Sequence, residues 1–377
     1  MLQFPLIRPD VPPIGEWAPI LQEAYEARRF SNFGPLSLRL ERILAETWGG
    51  RETVCVATSS GTAALAAALI AGGVSGRVVL PAFTFPATLS AVRMAGCQPL
   101  LVDVDPGDWR VSAGQLANSL EAAGAAAAIL LCPFGLASDF RPHLEAAAAH
   151  GARLVVDNAA GLGVARRPLE SGSPGYYEAC SLHVTKPFGI GEGGLVFAHR
   201  SQEDALRRAI NFGLMAGSAD LQGWGINGKL SELHAAVGLA AAAGFAERLV
   251  RRREIVARYA GVLAGIEGVA ACTQPAAGAW QFFPLLLPSA AAADRFVTAA
   301  AERGMESRRY YAPALSRLPD VDRLGPCPVA EDLAGRMCCI PVYSDATDAE
   351  VEALVGILEH ALTAAVPATT AALEKHR

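Results

Sequence analysis

Residues 181–194 read S-L-H-V-T-K-P-F-G-I-G-E-G-G: the end of an apolar run, a lysine, a glycine-rich loop, and then a second apolar run over 194–198. The spacing predicts a strand over 180–183, another over 194–198, and Lys186 just beyond the end of the first. Lysine is scarce in this chain, which holds only Lys186, Lys229 and Lys375. A lysine at a strand end beside flexible backbone suits covalent chemistry, because desolvation can lower its pKa by up to about 3–5 units and leave a neutral amine. A surface lysine on a turn has the same letters, and on this stretch alone the two readings stand level.

Outward from that loop, short apolar runs alternate with helical patterns. Further strands are predicted over 53–57, 77–80, 98–104, 126–132 and 153–156, with helices over 61–71, 87–95, 113–122 and 141–151. The alternation predicts a mainly parallel, seven-stranded sheet covered by helices on both faces. In such sheets ligands bind beyond the carboxyl ends of the strands. A long helical pattern over 231–264 is expected to lead into a smaller C-terminal unit with a strand over 280–287, a helix over 291–303, a loop holding Arg308-Arg309-Tyr310-Tyr311, and a final helix over 348–364. The expected division is 1–245 for a large domain and 246–377 for a small α+β domain, ending in a loose tail.

Composition narrows the function. Hydrophobic residues make up 52% of the 377 residues, much of it alanine. The longest weakly polar run, 122–138, is broken by Gly124, Pro133 and Gly135, short of the about 20 apolar residues a spanning helix needs. With no signal-like start, the expected location is cytoplasmic, away from any membrane. Thirty-two Lys and Arg against 37 Asp and Glu leave a net charge of −5, and no basic run marks a nucleic-acid surface. The cluster Arg251-Arg252-Arg253 reads as a solvated helix face. Eight cysteines without a C-x-x-C pair read as reduced core residues, and neither they nor the scattered histidines predict a metal site.

Three other strand-end loops carry chemistry, and Ser181 adds to the first. In S-S-G-T-A-A-L, 59–65, small residues open an apolar helix, leaving free N–H groups and the positive end of the helix dipole where a phosphate binds. Gly61 permits close approach and Thr62 adds a hydroxyl, although an ordinary N-cap has the same letters. Asp157 ends the run L-V-V-D, where an acid must be solvated or meet a cation such as a protonated pyridine nitrogen; capping the next turn is the plainer alternative. Phe85, in P-A-F-T-F-P, can stack on a flat ring or pack in the core. Ser181 can bond a phosphate oxygen or its own backbone. A phosphate cradle, an aromatic plate, a carboxylate and a lysine together match one cofactor, pyridoxal 5'-phosphate (PLP).

The motifs S-G-T-A-A-L, P-A-F-T-F, V-D-V-D-P, V-V-D-N-A-A, S-L-H-V-T-K, G-E-G-G, G-I-N-G-K-L-S-E-L-H-A-A and R-R-Y-Y-A-P-A-L occur in order along nearly the whole chain. On these the sequence resembles the nucleotide-sugar aminotransferases of the DegT-like family, which have PLP fold type I. The resemblance implies that Lys186 holds PLP as a Schiff base and moves protons, with Asp157 at the pyridine nitrogen and Phe85 on the ring. It implies that Gly61, Thr62, Ala63 and Ser181 hold the phosphate, and that Asn227 reaches the cofactor of the other subunit in a homodimer with shared active sites. Lys229, Arg308, Tyr311 and the Asn32-Phe33 turn are implied substrate contacts, with plain structural roles as alternatives. Ala160 stands where the family often has Gln or His, and Ser316 where many relatives have His.

The expected reaction moves an amino group from an amino acid, by resemblance L-glutamate, through pyridoxamine 5'-phosphate to a keto-sugar attached to a nucleotide. A keto-cyclitol acceptor and a PLP-binding sensor with little turnover are the alternatives. A nicotinamide site is disfavoured because G-I-G-E-G-G leads into a strand and does not open a helix.

Overall fold

The computed structural model describes residues 3–164, 175–215, 217, 219–264, 266–271 and 277–366. The expected C-terminal tail with Lys375 lies outside the described residues beyond 366. Helices α1 (Ile14–Glu26) and α2 (Pro35–Trp48) come first. Strands and helices then alternate as β1 (Thr53–Thr58), α3 (Gly61–Ala71), β2 (Arg77–Pro81), α4 (Pro86–Met94), β3 (Gln98–Val102), α5 (Ala113–Ala123), β4 (Ala127–Leu131), α6 (Arg141–Ala149) and β5 (Arg153–Asp157). Next come β6 (Tyr176–Ser181), β7 (Gly194–His199), α7 (Glu203–Ala209), α8 (Glu232–Ala243) and α9 (Phe245–Leu263). The rest is β8 (Ala270–Ala271), β9 (Phe282–Leu286), α10 (Ala290–Glu302), β10 (Arg308–Arg309), β11 (Asp322–Arg323), α11 (Pro328–Arg336), β12 (Met337–Pro341) and α12 (Asp348–Ala365).

The large sheet has the order β1-β7-β6-β5-β4-β2-β3-β11. Every pairing in it is parallel except those of β7, which runs against both β1 and β6. Its central strands are buried on both faces, all five residues of β4 among them, which is why they read as unbroken apolar runs. Helix α3 is apolar all round, with Ala63 through Leu69 buried, so it lies inside and not on the surface. The second sheet, β10-β12-β9-β8, is antiparallel and packs against α9, α10 and α12.

Four expectations need correction. Among the described residues the sheet has eight strands, because β11, only two residues long, adds to its edge beside β3. β6 lies earlier than 180–183, and its polar interior hid it: buried Glu178 accepts from Asn158 Nδ2 at 2.6 Å. The helical pattern over 231–264 is two helices, bent by 64° at Gly244.

Finally, the three arginines are not a solvated face. Arg252 is buried and donates to Trp280 O (2.9 Å), Gln281 O (3.3 Å) and Ser344 Oγ (2.8 Å). Arg251 donates to Ala346 O (2.8 Å) and Asp348 (2.7 Å), and Arg253 to Gly278 O and Gly163 O, both at 3.0 Å. Their long side chains reach backbone carbonyls that sequence cannot place nearby.

Candidate active site

The carboxyl ends of β1, β2, β4, β5 and β6 face a cavity of about 470 Å³. The chain leaves β1 through Ser60, whose extended backbone caps α3 and whose hydroxyl accepts from Ala63 N–H at 3.1 Å. Ala64 N–H goes to Ser60 O at 3.0 Å. Of the four N–H groups a helix start leaves open, those of Gly61 and Thr62 remain at the cavity wall. Gly61 is required by contact: a Cβ there would stand 2.8 Å from Ser181 Cβ. Ser181 Oγ accepts from His183 N–H at 3.2 Å, leaving its own hydrogen to donate.

Gly61→Ala must push α3 away from β6, and overpacking of this kind costs about 1–3 kcal/mol. The expected result is inorganic phosphate or cofactor binding weakened by roughly tenfold, measured by equilibrium titration. Unchanged affinity would show that this helix start holds no phosphate.

Phe85 ends the turn after β2 on the cavity wall and is 54% exposed, so core packing does not explain it. Asp157, the last residue of β5, is buried. Its Oδ2 accepts from Thr88 Oγ1 at 2.6 Å and its Oδ1 from Ala159 N–H at 3.2 Å. Thr88 is in turn 2.8 Å from Thr84 Oγ1, and because it donates to Asp157 it accepts from Thr84. Burial pushes the Asp157 carboxyl up from its ordinary value, against the opposing pull of Thr88, Lys186 and the Ala159 N–H.

Lys186 follows a turn closed by its own N–H to His183 O at 2.8 Å. The loop returns through Gly191, whose φ of +103° excludes other residues and whose carbonyl takes Val184 N–H at 2.8 Å. Lys186 Nζ donates to Gln281 Oε1 at 3.0 Å. Burial lowers its amine to about 8, with Asp157 pulling the other way. An acid held up and an amine held down share one cavity, which suits proton movement near neutral pH.

Arg308 and Tyr311 also line the cavity. Arg308 Nε donates to Glu306 at 2.6 Å, and half-buried Tyr311 stacks on Phe134 with centroids 5.4 Å apart. Ala160 lies on the wall. Ser316 is buried away from it, donating to Glu331 at 3.1 Å.

Other expected residues are not on this wall. Ala63 has its N–H committed to Ser60, which takes the wall position instead. Asn32 and Phe33 form a positive-φ turn whose carbonyls accept from Arg29. Asn227 Oδ1 accepts from Lys229 Nζ at 2.8 Å, and that ammonium sits 4.4 Å from the Phe212 ring. Their segment lies behind the helix start, where Ser59 N–H meets Gly228 O at 2.7 Å.

The residues that sequence reasoning missed are Ser60, Thr88 and Gln281. Ser60 was visible as the N-cap in S-S-G-T; Thr88 and Gln281 carry no local signal.

A sequence model of the DegT/DnrJ/EryC1/StrS aminotransferase family matches residues 15–359. Protein Rv3402c of Mycobacterium tuberculosis (strain ATCC 25618 / H37Rv) is 29% identical over 377 residues, covering 95% of this chain and 90% of that protein. The dTDP-4-amino-4,6-dideoxy-D-glucose transaminase of Shigella dysenteriae is 25% identical over 359 residues, covering 93% and 97%. The crystal structure of DesI in the presence of its TDP-sugar product superposes with a TM-score of 0.85 at 27% identity, covering 100% of this chain and 97% of that one.

Proposed function

The chain belongs to the DegT/DnrJ/EryC1/StrS aminotransferase family, and on that premise we propose that it moves the amino group of L-glutamate to the ketone of a nucleotide-linked sugar, with Lys186 bonding the cofactor and carrying the proton. It is a PLP-dependent aminotransferase of fold type I. The paired sugar substrate rests on the transaminase of Shigella dysenteriae and on DesI, whose names or ligands are nucleotide-linked sugars.

The residues fit the cofactor. The open N–H groups of Gly61 and Thr62, with the hydroxyls of Ser60 and Ser181, make a cradle that Gly61 keeps narrow. Phe85 offers an exposed ring face. Burial raises the Asp157 pKa in the empty site, and a cationic ring nitrogen beside it would hold the carboxylate charged. When bound, PLP supplies an aldehyde that bonds amines and a ring that withdraws electrons.

The chain's own residues do the rest. Lys186, neutral in part at physiological pH, takes a proton from the carbon that bears the amine and returns it elsewhere, a role worth about 10²–10⁴-fold. Asp157 holds negative charge where positive charge must persist, and Thr88 fixes the carboxylate plane. Tyr311 and Phe134 wall off water. Arg308 offers a cation for a carboxylate or phosphate of the substrate.

The chain is read as a large domain, 1–245, and a small one, 246–377. Asn227 and Lys229, on the outside of the cradle beside exposed Phe212 and Trp224, are read as groups given to the partner's site in a homodimer; Asn32 and Phe33 are assigned the same way.

The observation that carries the reading is the shared cavity of Lys186 and Asp157. The test is the absorbance of the purified protein with PLP, before and after L-glutamate, followed by candidate acceptors. The expected result is a lysine-bound band that bleaches with glutamate and returns with a nucleotide-linked keto-sugar. Return with free keto-cyclitols alone would replace the sugar acceptor. A band indifferent to every amino donor would make the protein a sensor.

A further inference from the structure

Gln281 comes to the cavity from the start of β9, 95 residues from Lys186, and is 8% exposed. Its side chain touches two neighbours in the lysine loop. Oε1 accepts from Lys186 Nζ at 3.0 Å, and Nε2 donates to Thr185 O at 3.2 Å. The second contact fixes the first. A flipped amide would set oxygen against the Thr185 carbonyl and an NH₂ against the lysine amine. The backbone is pinned as well, with Gln281 N–H on Phe134 O at 3.2 Å and Gln281 O held by Arg252 at 3.3 Å.

We propose that Gln281 is a catalytic residue of this site: its carbonyl holds one N–H of Lys186 and so aims the remaining valence of that nitrogen into the cavity. The proposal rests on Lys186 being the reacting amine. An amine free to rotate presents its lone pair in any direction, whereas one with an N–H on a fixed acceptor is confined to the two that its two hydrogens allow. An acceptor without charge restrains the amine yet leaves it free to lose its proton. A carboxylate in the same place would hold the ammonium form, since an opposite charge within about 4–6 Å shifts a pKa by 1–3 units.

The other groups facing Lys186 are constant in the test. Asp157 faces it from β5, Glu192 and His183 from its own loop, and Arg308, Tyr310 and Tyr311 from the β10 segment. Arg8, Asp10 and Arg252 border the narrow cleft on its other side.

With only three lysines in the chain, lysine-labelled NMR resolves each amine. The full-length protein, free of cofactor, is titrated as wild type, Gln281→Leu and Gln281→Glu. The Lys186 pKa is expected to rise by about one unit or more in Gln281→Glu and to fall in Gln281→Leu, while Lys229 and Lys375 stay fixed. In the loaded enzyme Gln281→Leu should lower kcat about tenfold with the donor KM within about twofold, and Gln281→Asn should recover part of the loss. If the Lys186 titration is the same in all three proteins, the inference is overturned. Should Gln281→Leu fail to fold, Gln281→Glu against wild type decides the matter alone. If Lys186→Ala retains transamination, the underlying reading falls too; if it does not and the Gln281 variants behave as wild type, only this inference falls.

Discussion

Lys186→Ala is expected to lower transamination with L-glutamate by about 10⁴-fold or more, the upper end of what a general base supplies, with the loss of the bonding amine added to it. The mechanism of loss is specific. Lys186 is the only lysine among the described residues of this cavity wall, and burial lowers its amine to about 8. The cradle of Gly61, Thr62, Ser60 and Ser181 is untouched by the substitution, so the variant should still retain the cofactor on dialysis, now without the lysine-bound band. Single-turnover rates and dialysed spectra measure the two halves separately. A variant within tenfold of wild type would remove Lys186 from the reaction.

Asp157→Asn is expected to cost about 10²–10³-fold in kcat, the scale of losing one preorganised electrostatic contact. Asparagine keeps the shape and its one carbonyl oxygen can still accept from Thr88, while its NH₂ then faces the Ala159 N–H, so the loss combines the charge with that one weaker contact. Stability should move the opposite way in the cofactor-free protein. The folded state raises the Asp157 pKa above its ordinary value, so folding favours the protonated form. That stability is present below about pH 4 and is lost as pH rises through the folded pKa. Wild type should therefore fall behind Asp157→Asn in urea midpoint as pH climbs from about 4 toward 7. Parallel midpoints across that range would mean that the carboxylate pays no burial penalty.

The legible parts of the fold are those set by local chemistry. Helix α3 begins and ends where its letters predict, at Gly61 and Ala71, because a capping serine, an unbroken apolar run and Gly72 define both ends within the segment. Lys186, Asp157, Phe85 and Thr62 were legible for a related reason: each stands at a strand end, and a parallel sheet gathers strand ends to one side.

What escaped was decided at a distance. Nothing near Gln281 in sequence announces a partner 95 residues earlier. Glu178 looks like a strand breaker until Asn158 is placed beside it. The bend at Gly244 looks like one more small residue in an alanine-rich helix. Arginine runs read as solvated because most are, and only the packing of α9 against the 278–281 and 344–348 segments turns this one inward.

That run sets the mechanics of the molecule. Successive residues of a helix point about 100° apart, so Arg251, Arg252 and Arg253 grip α9 over more than half of its circumference. One hand holds the start of α12, the next the carbonyls of Trp280 and Gln281, and the third Gly163, six residues past Asp157 in the chain. Rotation about the axis, or a slide by one turn of about 5.4 Å, would break contacts in three directions at once. Held this way, α9 ties the second sheet to the loop after Asp157: any motion of that sheet that keeps these bonds would carry α9 along, and one helix links the Gln281 and Asp157 sides of the cavity.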